Sequence, residues 1–465
     1  MDGSPSCHSE REVKERGMKT NASPVEAVLL GAGGRGTFAY GAAARAHPDH
    51  IRFVAVAEPD PERRARFASQ HTLPPDRCFA SWEDLLAAGQ LAPALVCCTL
   101  DRLHVAPTVA ALDEGYHVLL EKPMAVTPED CVRIVQASER ANRLLMICHV
   151  LRYTPFFSTL HAIVTSGRLG DIVTIEHREN VAFWHMAHSF VRGNWGNAAR
   201  SSPMILSKCC HDLDILAWMM AGNPVTRLHS FGSLMHFRPE HAPPGVPARC
   251  TDGCPAADDC AFYAPRLYLT DDVGWPAAAL SVDPSSDARL RALQTGPYGR
   301  CVYQADNDVV DHQVVNMEHR DGAVTTLVMH GHSHEEGRSM RYDGTRATVR
   351  ARFTYHGGPE ITLYDHRSGA VEDIPVPAAD ESGHGGGDSG LLRAFGHAVR
   401  HTDMDGLTSA RASLESHLLG FAAERSRATG SVIDVVAYRA EIEAAASPRL
   451  EHGGTRTRSW AEVHQ

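Results

Sequence analysis

Short apolar runs alternate with amphipathic stretches from residue 25 to residue 150. The runs Ala27–Leu30, Phe53–Ala57, Leu95–Thr99, Val118–Leu120 and Leu145–Cys148 read as strands. Between them lie stretches rich in Ala, Arg and Glu with helical periodicity, such as Pro61–Gln70 and Val105–Glu114. Strands alternating with helices predict a doubly wound parallel sheet over residues 24–150. The pattern then changes. Leu169–Glu176, Arg227–Leu234, Val314–His319, Ala323–His330 and Glu360–Leu363 follow one another as strands with few helices between, and Arg320-Asp321-Gly322 joins two of them as a hairpin turn. That succession predicts an α+β domain with an open antiparallel sheet over residues 151–440. Residues 238–300, rich in Pro, Asp and Cys, read as an insertion too long for an ordinary connection. Residues 378–390 read as a flexible Gly-rich link before a helix from about Leu391. A further amphipathic helix runs from about Ser409 to Thr429. Residues 1–23 read as a disordered leader and 447–465 as a disordered tail.

The first strand ends in Gly31-Ala-Gly33-Gly34-Arg35-Gly36, and the second ends in Glu58, 22 positions past Gly36. This is the spacing of a dinucleotide-binding βαβ unit. Gly31 permits the tight turn, Gly33 lets backbone N–H groups approach a pyrophosphate, and Gly36 lets the helix sit close to the strand. The phosphates would rest on the positive end of that helix. A carboxylate at Glu58 suits an unmodified ribose diol and repels a 2′-phosphate, which favours NAD over NADP. Arg63 and Arg64 are the nearby cations that could oppose that preference.

The chain has 465 residues, which favours two domains, and its formal net charge is −11. No basic stripe is present, so nucleic acid is not an expected partner. No apolar run reaches the length of a membrane span. The N-terminal segment lacks an apolar core and a twin-Arg pair, which sets the expected compartment as the cytoplasm. The 12 cysteines are therefore expected as thiols or metal ligands rather than disulfides. Cys250, Cys254 and Cys260 fall close together in the insertion, and Cys301 lies just beyond it. Two readings stand: a structural zinc held by these four thiolates, or buried free thiols.

Glu121 and Lys122 stand just past the carboxyl end of a parallel strand, where ligands of such sheets bind. The ordered set Gly31–Gly36, Glu58, Thr99-Leu-Asp-Arg-Leu-His104, Glu121-Lys122-Pro123, His149-x-x-Arg152-Tyr153-x-Pro155, Ser166–Asp171 and the helix around His211 resembles the glucose–fructose oxidoreductase, inositol dehydrogenase and rhizopine-catabolism family (Gfo/Idh/MocA). The resemblance covers about residues 25–440. It implies an N-terminal Rossmann domain, a C-terminal domain with an open antiparallel sheet, and an active site between them. It implies hydride transfer between a secondary alcohol of a sugar or cyclitol and a nicotinamide. An alternative it leaves open is redox-neutral cleavage of a glycosidic bond through transient oxidation by tightly held NAD. It further implies a homodimer or homotetramer built on the exposed face of the open sheet.

Residue by residue, the resemblance gives Lys122 contact with substrate and the nicotinamide ribose, with Thr99, His104 and Glu121 near the cofactor. The family usually carries Asp-x-x-x-His-x-x-Asp on the next catalytic helix. His211 and Asp214 match its last two positions, and Ser207 replaces the first Asp. On a continuous helix Ser207, His211 and Asp214 share a face, and Lys208 and Asp212 form an i,i+4 pair beside it. His211 is the expected proton acceptor, with Asp214 fixing its tautomer. Lys208 or Asp212 could take over part of the relay that Ser207 leaves open. Arg152 and Tyr153 either approach the substrate or brace the domain junction. Asp308, in Asn307–Gln313, either lines a polyol site or belongs to a solvated loop.

Overall fold

The computed structural model describes residues 23–354, 358–380 and 382–446. The expected leader (1–23) and tail (447–465) lie outside the described residues, apart from residue 23. Six strands form the first sheet: β1 (Val25–Leu30), β2 (Ile51–Ala57), β3 (Cys78–Phe79), β4 (Ala94–Cys97), β5 (His117–Leu120) and β6 (Leu145–Ile147). Their order is β3-β2-β1-β4-β5-β6, and every pairing is parallel. The strands are buried along nearly their whole length, as a parallel sheet covered on both faces requires. The order reverses at β1, and the glycine-rich turn follows that strand at its carboxyl end. This is the crevice in which doubly wound sheets bind their ligands.

The second sheet has nine strands: β7 (Ile172–Ala182), β8 (Val225–Ser233), β9 (His312–His319), β10 (Val324–Ser333), β11 (Gly337–Gly344), β12 (Ala347–Thr354), β13 (Glu360–Asp365), β14 (Val371–Asp373) and β15 (Ile433–Asp434). Their order is β14-β13-β12-β11-β7-β10-β9-β8-β15. The pairings are antiparallel except for β7 with β10. Arg320–Gly322 joins β9 to β10, with Gly322 at φ +95°. One face of this sheet packs on helices, and the other shows Phe231 and Val324 to solvent.

Two elements depart from the sequence expectation in ways that shape the site. The helix around His211 is not continuous: one helix ends at Ser207, another begins at Cys210, and Lys208 and Cys209 form the joint. The Gly-rich link is folded rather than loose where it is described. His384, Gly385 and Gly386 take positive φ values, and a helix starts at Gly387 and runs to His401. That turn brings His384 and Asp388 to the first domain's glycine loop.

The insertion has a small core of its own, made by Cys250, Ala264, Tyr268 and Leu293. Arginines fasten it by donating to carbonyls. Arg192 reaches those of Arg300 at 2.7 Å and Phe262 at 2.6 Å. Arg249 reaches those of Leu293 and Gly296, and Arg289 that of Tyr268 at 2.6 Å. Among the described residues, no helix is long and apolar enough to cross a membrane.

Candidate active site

The glycine turn is shaped by close approach. Gly31 has φ +86°, and a Cβ there would lie 2.5 Å from the Cys98 carbonyl oxygen. A Cβ on Gly36 would overlap the carbonyl oxygen of Gly31. Gly33 and Gly34 face open space instead, so the outer side of the turn is free to receive a bulky group. The Ala32 N–H donates to Glu58 Oε2 at 2.7 Å and the Asp60 N–H to Oε1 at 3.0 Å, which fixes the buried carboxylate beside the turn. Arg64 is held on the carbonyls of Glu58 and Pro59, and Arg63 lies by Asp60. A pyrophosphate against the open turn and a ribose near Glu58 fit this arrangement.

Arg35 is spoken for. Its Nε donates to Glu121 at 2.7 Å, and its terminal nitrogens grip Asp388 at 2.7 and 3.2 Å and the Tyr40 hydroxyl at 2.8 Å. Glu121 also accepts from Tyr40 and from the Lys122 N–H. Burial alone would raise the pKa values of Glu121 and Asp388. The Arg35 guanidinium overrides it and holds both below the usual carboxylate range. Arg35, within the glycine turn, and Glu121, expected near the cofactor, form the centre of a bridge from the glycine loop to the helix at Asp388.

Lys122 leaves the end of β5 and points across the cleft. Its Nζ donates to the Ser207 carbonyl at 2.8 Å and lies 5.7 Å from the centre of the Trp195 ring. The backbone at Ser207 thus takes the contact that a carboxylate there would have taken. Trp195 is itself held by Asp101, which also accepts from Ser201 at 2.6 Å. His104 is fully buried, with Nδ1 2.7 Å from the Pro123 carbonyl and Nε2 3.1 Å from that of Thr99. It braces the turn that carries Lys122, and both of its ring nitrogens are engaged. The Thr99 hydroxyl is turned to the Leu103 carbonyl.

His211 is buried, with Nδ1 lacking any partner. Burial first, and then the charge of Lys122, holds its pKa well below the ordinary value. His149 lies 5.7 Å away and His384 6.0 Å, measured between ring centres. Asp214 does not orient His211. Arg152 grips its two carboxylate oxygens at 2.7 Å each, and both residues are buried. Arg152 also donates to the Leu407 carbonyl, and Tyr153 meets the Thr408 hydroxyl at 2.9 Å. These residues brace the domain junction.

The expected Lys208–Asp212 pair is not formed, because the helix breaks between Ser207 and Cys210. Lys208 pairs with Glu336 at 2.8 Å and Glu179 at 3.2 Å. Asp212 pairs with His177 and Arg338, each at 2.8 Å. Buried Glu179 is pushed up to about 7 by desolvation, against the pull of Arg338 and Lys208. Asp308 accepts from the Ala198 N–H at 2.7 Å, which fastens the loop behind Trp195.

The structure corrects the zinc expectation. Cys250, Cys254, Cys260 and Cys301 do line one small cavity, but the Arg192 guanidinium shares it and donates to Cys250 at 3.6 Å. Among the described residues, no three Cys, His, Asp or Glu side chains stand where they could hold a metal. The cysteines there are free. The arginine contacts supply the order for which a metal was invoked.

Sequence reasoning passed over Glu336, His384 and Asp388, and it quoted Asp101 and His149 within motifs without giving either a role. For His384 and Asp388 a signal existed: a histidine among glycines, with an acid four positions on. Glu336 carries no local pattern, and the partners of Glu336 and Asp101, Lys208 and Ser201, lie far away in the chain.

The comparisons agree with this geometry. A family model described as the oxidoreductase family's NAD-binding Rossmann fold matches residues 25–149, and its C-terminal alpha/beta domain matches 162–435. A putative oxidoreductase, YteT, of Bacillus subtilis is 22% identical over 307 residues, covering 63% of this chain and 69% of that one. An inositol 2-dehydrogenase of Burkholderia multivorans is 30% identical over 176 residues, 38% of this chain and about half (48%) of its own length. The crystal structure of an inositol dehydrogenase homologue from Azotobacter vinelandii complexed with NAD+ shares the fold, with TM-score 0.64 at 17% identity, covering 89% of this chain and 98% of that one. With both domains matched in order around a lysine at the end of a Rossmann strand, the chain belongs to the Gfo/Idh/MocA oxidoreductase family.

Proposed function

We propose that this protein is an NAD-dependent dehydrogenase that moves hydride between a secondary alcohol of a sugar or cyclitol and the nicotinamide. The observation that carries this reading is the meeting of Lys122, from the edge of the parallel sheet, with the helix joint that precedes His211. Two proton-handling groups from two domains face one cleft beside the glycine turn. A neutral His211 can accept the hydroxyl proton. The Lys122 ammonium donates to the same oxygen and stabilises the negative charge that grows there as the C–H bond weakens. When bound, the nicotinamide supplies the hydride acceptor. The named inositol dehydrogenases support the class of substrate. Glu58 supports NAD, and of the cations near it Arg64 is held on backbone carbonyls and Arg63 lies by Asp60. A homo-oligomer resting on the exposed apolar side chains of the nine-stranded sheet completes the reading.

The test is spectrophotometric. Purified protein is mixed with NAD or NADP and a panel of polyols, aldoses and glycosides. Net NADH formation with at least one polyol, and weaker use of NADP, are expected. Glycoside cleavage without net NADH would replace this reading with the redox-neutral one. Cofactor binding without either reaction would remove both. The molar mass in solution tests the assembly.

A further inference from the structure

The insertion returns to the cleft. Trp275 sits 4.9 Å from His185 between ring centres, nearly perpendicular to it, 5.2 Å from Trp184 and 5.5 Å from His188. Although an indole of this size usually gains from burial, Trp275 is 53% exposed. Short contacts connect it to the reacting end. His185 Nδ1 lies 2.9 Å from Glu336, Glu336 accepts from Lys208 at 2.8 Å, and Lys208 adjoins Ser207, whose carbonyl receives Lys122. A second path is aromatic. Phe190 lies 5.6 Å from His185 and 6.0 Å from Trp195, the ring beneath Lys122. One continuous wall, alternately aromatic and charged, therefore runs from Lys122 to Trp275.

We propose that this wall is a saccharide subsite. The substrate is a glycoside of at least two rings, one seated at Lys122 and His211 and the second stacked on Trp275 and Trp184. The proposal rests on the dehydrogenase reading and narrows its substrate class. A pyranose has an apolar face of C–H groups and a rim of hydroxyls. Indole faces bury the first. The largely buried, mutually paired His185, Glu336 and Lys208 put a polar edge beside the indoles for the second, the composition that small-molecule sites show. Lys208, Glu336 and His185 stand between the reacting end and Trp275, so the second ring is set beyond the first rather than on it. The parallel-sheet domain has no part in this platform. It is assembled from β7's continuation at Trp184 and His185 and from the insertion.

The experiment compares D-glucose, D-galactose and myo-inositol with cellobiose, maltose and lactose as reductants of NAD, using wild type, Trp275→Ala and Trp275→Phe. Wild type is expected to favour at least one disaccharide over its constituent monosaccharide in kcat/KM. Trp275→Ala should lower that disaccharide's kcat/KM about 10-fold, mostly through KM, with monosaccharide rates within about 2-fold. Trp275→Phe should recover most of the loss. An equal fall for both sizes of sugar, no change, or a monosaccharide preference in wild type would overturn the platform. So would a change of molar mass in Trp275→Ala, which would make Trp275 a subunit contact. If no sugar reduces NAD, the dehydrogenase reading falls. Indole fluorescence then decides the platform by itself: quenching by a disaccharide in wild type but not in Trp275→Ala supports it, and no quenching rejects it.

Discussion

In the proposed reaction Lys122 and His211 work as a pair. Burial and the nearby ammonium keep His211 neutral, and the Ser207 carbonyl aims Lys122 without neutralising it. Lys122→Ala and His211→Ala should each lower turnover by about 100-fold or more while NAD still binds, the range expected for losing a proton-transfer group. Near-normal turnover in either variant, measured on a true substrate, would remove that residue from the chemistry. Asp214 belongs to stability rather than to proton transfer. Replacing it with Asn leaves the buried Arg152 without its carboxylate, a change that typically costs about 3–5 kcal/mol. Denaturant unfolding should show that loss. Lys122 and His211 were legible in the sequence because each sits inside a local motif. The partner of Asp214 was not, since Arg152 lies 62 positions earlier and only the fold brings them together.

At the scale of elements, the glycine turn was readable down to single atoms. Each glycine answers a close approach or an open face that the spacing already implied. Gly36→Ala should sharply weaken NAD binding, because its Cβ would overlap the Gly31 carbonyl. Titration by NADH fluorescence checks this, and unchanged affinity would contradict the role given to the turn. The helix around His211 was misread as continuous, since the pattern of apolar residues persists across the joint at Lys208 and Cys209. Of the two readings of the insertion's cysteines, the zinc one does not hold among the described residues. The cysteines are crowded in sequence, but Arg192, Arg249 and Arg289 satisfy the insertion's carbonyls. Arg192→Met should expose residues 238–300 to protease, whereas prolonged chelation should leave the cleavage pattern unchanged. Protection lost on chelation would restore the metal.

At the scale of the whole molecule, the fold buries histidines it must keep neutral. Burial lowers the pKa values of His149, His188, His211 and His417, with His188 and His417 at about 3. In the unfolded chain these rings protonate near pH 6.5. Below that pH the unfolded chain binds more protons, so stability falls as pH drops. Each such histidine contributes about 1.4 kcal/mol per pH unit to that fall. Glu179, pushed up to about 7, and Asp214, also raised, work in the opposite direction. Four histidines outweigh two carboxylates, so the thermal midpoint should fall between pH 7 and pH 5. A flat or rising midpoint would refute this balance. The amino-acid sequence by itself determined the parallel sheet, the glycine turn and the succession of strands that follows, and it named the lysine and histidine proposed for the site. Each of these is written in residues a few positions apart, where periodicity and spacing translate directly into backbone geometry. The tertiary structure alone decided which charges pair: Arg35 with Asp388, Arg152 with Asp214, Lys208 with Glu336. It alone decided that arginines hold the insertion and that Trp275 stands exposed beside His185 and Trp184. Those outcomes depend on which groups are buried beside one another, and burial is a property of the folded chain rather than of any stretch of it.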